Sequence, residues 1–572
     1  MCFIRSSKYM NQLKRNGLAI CWRLVQMLVV SFACLCHAAT GQNQAPQLST
    51  PDASQFQKLN RTLSLLRSAK PGYRPTLRIM VYGQSHSLGE WPNYFAENLR
   101  AFYPHANIII TNRAIAGFSA LLLSRSVQAD VVGWQPDLLL LHCLGSNLQD
   151  YHRLYSTITN HCTADVLVHG DHIQTASQAT ESLDISEVSP DTVWVLRNYH
   201  WLPDIVNQYG FCWADIRTPW KEYLATQGVS YRSLLGPDGY HCNDQGHWLT
   251  ANLIAAFFRP ENQITTVDPF SNPKVQTRLI DEDIFWENNE LRLRLKGNRV
   301  EVIYDETNLD PSAQYEFTFD GLTPDKVADF YDFNRASTAW YTVWPGILGA
   351  SHETLPVEER WTLHTDSISL GTGQVFFSVE GSKTGRDGSG SNFGLPFVSN
   401  SRRLRIEPEA WMQHLSYVAT LQMPPSDWKI TVDCVLRALP TFQPRSATGV
   451  GIEASDTLFQ SLTEGEHELV VRPRASGSSG IKGFRVYSPG GQAMLKNSNP
   501  IKKISLRVKK LGTQMVLTWP QAAGQGRLES SRALTSVAQW LPVDSPVTLR
   551  DGFYQCPIAP ESSEQMFYRW IP

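Results

Sequence analysis

Residues 76–87 read TLRIMVYGQSHS: a mostly apolar run from Thr76 to Tyr82, a stop at Gly83, and a serine, Ser85, two residues later. A short apolar run closed by glycine predicts a buried strand, and the polar residues after it predict the hand-over to a helix. The same alternation continues outward. Residues 107–111 (NIIIT), 137–142 (DLLLLH) and 164–169 (ADVLVH) read as strands, and residues 91–103, opened by Pro92, and 120–129 read as helices. Helical material at 205–209, 216–224 and 249–258 completes the series. Strands alternating with helices predict a parallel sheet covered on both faces, a three-layer α/β domain spanning 75–262.

Beyond Pro260 the apolar period falls to two. Leu291, Leu293 and Leu295 alternate with polar residues, Lys296-Gly297-Asn298 reads as a turn, and Val300, Val302 and Tyr304 alternate again, predicting a hairpin. Similar strands are expected at 315–319, 375–379, 429–435, 467–471 and 504–508, with glycine-rich loops at 381–394 and 475–483. This half is predicted to be sandwich-like β structure: a β domain at 270–372, a β-sandwich at 373–502 and a small module at 503–572.

The N-terminus sets the compartment. Arg5, Lys8, Lys14, Arg15 and Arg23 precede an apolar run at 24–36, then Ala38-Ala39-Thr40-Gly41. That is the build of a signal peptide over residues 1–40, with residues 41–74 as leader or linker containing a short helical stretch around 57–68; an uncleaved anchor is the alternative. The protein is therefore expected to be exported. Six of the ten cysteines lie outside this leader, and one disulfide among Cys143, Cys162, Cys212 and Cys242 is compatible with export. With 51 basic and 53 acidic residues in 572, net −2, no field exists to collect nucleic acid. The basic cluster at 502–510 alternates with Leu506 and Val508 and reads as a solvated strand face.

The chemistry gathers where strands end. Ser85 follows the first strand, Gly117 the second, and Gly145-Ser146-Asn147 the third. In α/β proteins that edge binds ligands. The N–H groups of Ser85 and Gly117 and the Asn147 amide can form an oxyanion pocket. Alone, a Gly-x-Ser more often describes a serine capping the next helix. Residues 238–247 read DGYHCNDQGH, in which Asp238 precedes His241 by three positions, close enough to orient the imidazole as it takes a serine proton. Asp244 and His247 repeat the spacing. At the end of the fourth strand, His169-Gly170-Asp171-His172 contains metal-ligating types. Three such ligands within four residues rarely converge on one ion, so His169, His172 and His86 are read as candidates for substrate contact, with no metal. Asp387-Gly388-Ser389-Gly390 lacks the acidic repeat of a calcium loop and reads as a turn.

These blocks, in this order, resemble the SGNH or GDSL-type hydrolases: Ser85 in a GQS variant of the first block, Gly117 in the second, Gly145 and Asn147 in the third, and Asp238 with His241 in the last, continued by Asn243, Gly246 and His247. The resemblance covers about 190 residues and favours the Asp238/His241 register over Asp244/His247. It implies a Ser85–His241–Asp238 triad, an oxyanion hole from Ser85, Gly117 and Asn147, and ester hydrolysis without a cofactor. Gln84, where Asp is commoner, resembles the sialate- and xylan-acetyl esterase branches and points to acylated carbohydrate as the partner substrate. Rival readings are a lipid or aryl esterase of the superfamily and a polysaccharide-binding protein with a relict hydrolase domain. The last seventy residues loosely resemble C-terminal β modules of exported bacterial proteins.

Overall fold

The apolar strands at 76–83, 138–142 and 165–169 are buried almost throughout, which requires cover on both faces. In the computed structural model they form a five-stranded parallel sheet, β1 (Thr76–Gly83), β2 (Asn107–Asn112), β3 (Leu138–His142), β4 (Asp165–His169) and β5 (Cys212–Ala214), in the order β2-β1-β3-β4-β5. The structure describes residues 51–491 apart from 146, 182–191, 311, 341, 370–371, 413–424, 426 and 475–479. Past 505 it describes 506–511, 514–520, 527–531, 541–543, 545–550, 553–558 and 567–571. The signal-peptide reading lies outside these residues.

Alternate side chains of each strand feed opposite faces. Leu77, Ile79, Val81, Leu138, Leu140 and Leu167 pack against α1 (Asn60–Ser68), α2 (Trp91–Phe102), α6 (Arg217–Gln227) and α7 (Asp244–Ala255). Met80, Tyr82, Leu139, Leu141, Val166 and Val168 pack against α3 (Ala120–Val127), α4 (Leu148–His161) and α5 (Leu202–Gln208). The expected three-layer fold is present, with β5 and α4 added to the elements read from sequence. The switch in strand order lies between β1 and β3, beside Ser85.

Several expectations change. The helical stretch expected near 57–68 is present as α1, but it belongs to the α/β domain and not to a linker: Leu59, Leu63 and Leu66 are buried under the sheet, and Arg61 pairs with Asp137 at 2.8 Å. The hairpin at 291–304 is one 15-residue strand, Glu290–Tyr304, flanked by Ser455–Pro473 and Ile481–Tyr487. Gly297 does not turn the chain. It permits close approach, since a Cβ there would stand 2.4 Å from the Tyr487 carbonyl oxygen. Residues 385–391 form an edge strand paired with Gln374–Gly381 rather than a loop or turn. Gly390 leaves room for Phe397 against Phe377, and Asp387 accepts hydrogen bonds from Ser401.

The boundary expected at 372/373 also falls inside a hairpin, between strands Glu359–Ser369 and Gln374–Gly381. These belong to a five-stranded antiparallel sheet drawn from 331–436, nested between strands Tyr315–Phe319 and Thr441–Phe442 of an eight-stranded antiparallel sheet. Trp361, Leu363, Phe377 and Ile430 of the nested sheet share one apolar cluster with α3 and α4. Residues 494–572 form a separate unit of two small antiparallel sheets around Leu517, Trp519, Leu528 and Cys556. Residues 502–505 lie outside the described residues, and Arg507–Leu511 is a strand. Among the described residues no helix is long and apolar enough to cross a membrane.

Cys143, Cys162, Cys212 and Cys242 are all free, so the one disulfide allowed from sequence is not formed. They sit just past the end of β3, past the end of α4, on β5 and in the 235–243 loop, and burial pushes the Cys143, Cys162 and Cys242 thiols up to about 12.

Because α1 closes one face of the sheet, Leu63→Ala is expected to destabilise the α/β domain by about 2–5 kcal/mol, read as a lowered denaturation midpoint by intrinsic fluorescence. An unchanged midpoint would return residues 53–68 to the status of a linker.

Candidate active site

The sequence places Ser85 two residues past a strand that can end only in glycine. Gly83 pairs with His142 across β1 and β3, and a Cβ there would stand 2.1 Å from the His142 carbonyl oxygen. Ser85 opens a short 3-10 turn, and among the described residues neither its N–H nor that of Gly117 has a hydrogen-bond acceptor. Gly117 has φ +75°, the left-handed region that favours glycine.

The 238–241 loop is shaped by its own carboxylate. Asp238 Oδ1 accepts from the backbone N–H groups of Tyr240 and His241 at 2.9 and 3.1 Å, with Gly239 left-handed at φ +78°. The other oxygen, Oδ2, lies 2.6 Å from His241 Nδ1, and His241 Nε2 lies 2.8 Å from Ser85 Oγ. The hydrogen bond from His241, then those from the two N–H groups, hold the Asp238 carboxyl well below the usual range. The motif's other residues are structural. Asn243 caps α7 through Gly246 N–H, and a Cβ on Gly246 would strike the Leu234 carbonyl oxygen. His247, 9% exposed, packs on Gly89, so the imidazole on Ser85 is that of His241 and not His247.

Asn147 is exposed and caps α4, its side-chain oxygen accepting from Gln149 N–H at 3.1 Å. His86 is partly buried beside the nucleophile, 5.2 Å from the His241 ring. His169 and His172 are only 3% and 4% exposed, which removes them from the reach of a substrate; the contact read for them from sequence is replaced by internal bonds. His172 Nε2 lies 2.8 Å from the Tyr240 carbonyl oxygen, and His169 stacks on His142 at 4.6 Å. Burial, with neighbouring imidazoles, depresses His86 to about 2 and His169 to about 3. Burial brings His172 to about 4.

Around Ser85, Gln84 and Asp171, both legible in the sequence, are joined by His142, Arg197 and Trp344, which were not among the expected residues. Gln84 accepts from Ser85 Oγ at 2.8 Å and reaches His142 Nδ1 at 3.3 Å; His142 Nε2 contacts Asp171 Oδ1 at 2.9 Å, and Arg197 Nε binds Asp171 Oδ2 at 2.8 Å. A histidine closing an otherwise apolar strand and an arginine inside an apolar helical run were the available signals. From the connection between strands Tyr331–Phe333 and Glu359–Ser369 of the nested sheet, Trp344 Nε1 donates to the Ala116 carbonyl at 2.8 Å, and its ring lies 3.5 Å from where a Gly117 Cβ would stand. Nothing local in the sequence foretells that contact.

No family model matches the chain, and no curated protein matches it. Among solved structures, it is similar to a two-domain esterase active on acetylated mannans, at 12% identity over 75% of this chain and 95% of that one, with a TM-score of 0.29. It is also similar to an acetylxylan esterase from Geobacillus stearothermophilus, at 16% identity over 33% and 98%, TM-score 0.26. A third is an alpha/beta hydrolase from the metagenome of Lake Arreo, Spain, at 14% identity over 32% and 96%, TM-score 0.27.

The depressed histidines carry a pH consequence. Folded, they remain neutral below 6.5, their ordinary value, where the unfolded chain takes up protons. The unfolded state then binds more protons, so stability is full above pH 6.5 and falls as pH drops toward 4. Thermal unfolding from pH 7.5 to 4.5 is expected to show this decline starting near 6.5; a flat midpoint down to 5 would contradict it.

Proposed function

We propose that this chain is an exported serine esterase that hydrolyses small acyl esters, chiefly O-acetyl groups on carbohydrate. The observation that carries the reading is the continuous Ser85–His241–Asp238 hydrogen-bond chain, at 2.8 and 2.6 Å, on the ligand-binding edge of the sheet. The ordered resemblance to SGNH hydrolases, with its GQS variant, supports the same assignment.

In this mechanism Ser85 Oγ attacks the ester carbonyl while its proton passes to His241 Nε2. Asp238 holds Nδ1–H and stabilises the imidazolium. The unengaged N–H groups of Ser85 and Gly117, with the Asn147 side-chain amide, receive the oxyanion. His241 then protonates the departing sugar alkoxide, leaving an acyl-enzyme. Water, deprotonated by the same imidazole, releases the carboxylate and restores the serine. The side chains of Asp238 and His241 are 51% and 45% exposed, an open setting that suits an acyl group carried on a long chain.

Acetate release from acetylated xylan, mannan, pectin and sialic acid tests the reading. Ser85→Ala is expected to lower kcat on the order of 10⁶-fold and Asp238→Asn about 10⁴-fold. Serine-independent release would sink the mechanism. Hydrolysis confined to long-chain esters would move the substrate to lipids, and none on any ester would favour a polysaccharide-binding protein.

A further inference from the structure

The segment His169-Gly170-Asp171-His172 lies behind the candidate triad and touches both of its halves. On the serine side, the Asp171 carboxylate holds His142, whose other nitrogen faces the Gln84 amide, and Gln84 in turn accepts from Ser85 Oγ. On the histidine side, His172 Nε2 bonds the carbonyl of Tyr240, the residue between Gly239 and His241. The N–H of that same Tyr240 is bound by Asp238. Two arms thus leave one four-residue segment and end on the two partners of the 2.8 Å Ser85–His241 bond.

The segment is itself held from two directions. Arg197 pairs with Asp171 and extends to the carbonyls of Cys143 and Gly145. Arg217, fully buried, forks onto Glu181 through two 2.7 Å bonds while donating to the carbonyl of His172 at 3.0 Å. Asn198 binds both the carboxylate and the N–H of Asp171. At Gly170 a Cβ would meet the Asn198 amide oxygen at 2.9 Å, so the chain can pass there only without a side chain.

The hydrogen bonds fix the tautomers. His172 must carry its proton on Nε2 to donate to a carbonyl, and His142 must carry its proton on Nε2 to donate to Asp171, which leaves Nδ1 to accept from Gln84. Gln84, whose Nε2 also meets His86 Nδ1 at 2.5 Å, is then oriented with its oxygen 2.8 Å from Ser85 Oγ, where it holds the single hydroxyl proton until that proton turns to His241 Nε2.

We propose that Asp171 and His172 are positioning residues that register the nucleophile against its base: Asp171 through His142 and Gln84, and His172 through the Tyr240 carbonyl. The proposal rests on the serine-esterase reading. Neither residue touches substrate.

An alkyl fluorophosphonate added to the full-length chain tests both and separates them. The Ser85 Oγ–P bond forms, fluoride leaves, and the serine proton passes to His241, so labelling needs no knowledge of the natural ester. One adduct on wild type and none on Ser85→Ala supports the esterase reading; an unlabelled wild type overturns it and the positioning role with it. Given labelling, His172→Phe is expected to lower the maximal labelling rate about 10–100-fold while leaving the half-saturating concentration unchanged. His172→Gln, which can place an amide N–H near the lost Nε2, is expected to restore most of the rate. An unchanged rate in His172→Phe overturns the proposal, as does an equal loss in both variants. Should His172→Phe fail to fold, His142→Asn is read instead: it keeps an acceptor toward Gln84 but withdraws the donor from Asp171. A slower rate there supports the serine-side arm, and an unchanged one overturns it.

Discussion

A carboxylate 1% exposed to solvent is the constraint around which this edge of the sheet, with its candidate triad, is organised. Asp171 is held well below the usual carboxylate range by Arg197, His142 and Asn198 despite full burial. Its desolvation is offset only while each partner keeps its place. That requirement propagates: Arg197 has further N–H groups to satisfy and spends them on Cys143, Gly145 and the Tyr151 hydroxyl. The loops after β3 and β4, which carry Asn147 and His172, are thereby tied to one charge. Replacing such a pair by apolar residues of equal volume is often neutral for stability, so its value here lies in geometry.

The parts of the fold legible from sequence are those in which local pattern and long-range structure agree. Short apolar runs, below helix length and rich in β-branched or leucine side chains, left β1 to β4 readable to within a residue or two. The order of Ser85, Gly117, Asn147 and Asp238 then put the chemistry on one edge. Helix α4 was equally readable, since Tyr151, Leu154, Tyr155 and Ile158 recur at helical spacing, and was passed over because its polar residues dominate. The turn read at Lys296-Gly297-Asn298 failed for a different reason. Glycine serves both sharp turns and close backbone approach, and only the position of Tyr487, 190 residues away, decides between them.

Nesting was illegible in principle. Alternation marks a strand but not its sheet, so 359–369 and 374–381 could be assigned to separate domains although they are hairpin partners. Likewise His169 and His172 stand in the sequence only as polar residues near the edge. Their burial, and hence their turn inward, depends on Trp91, Trp220, His142 and His86.

The nested sheet adds a second support to the same edge. Arg335 binds the buried Asp130 at 2.7 Å and also donates to the carbonyl of Arg113, while Trp344 caps Ala116. Both contacts fall on the stretch joining β2 to α3, which contains Gly117. A glycine at φ +75° is free to leave that conformation, and the oxyanion role proposed for its N–H requires that it stay aimed. The Gly117 loop has no buried charge of its own comparable to Asp171. The bonds from Arg335 and Trp344 provide its fixation from outside the α/β layers. The serine and histidine are thus secured from behind by the β4 segment, and the opposite rim is secured by a sheet inserted more than two hundred residues later. A β module in that position belongs to the rigid frame of the site, and its removal would loosen the rim even where the parallel sheet stayed folded.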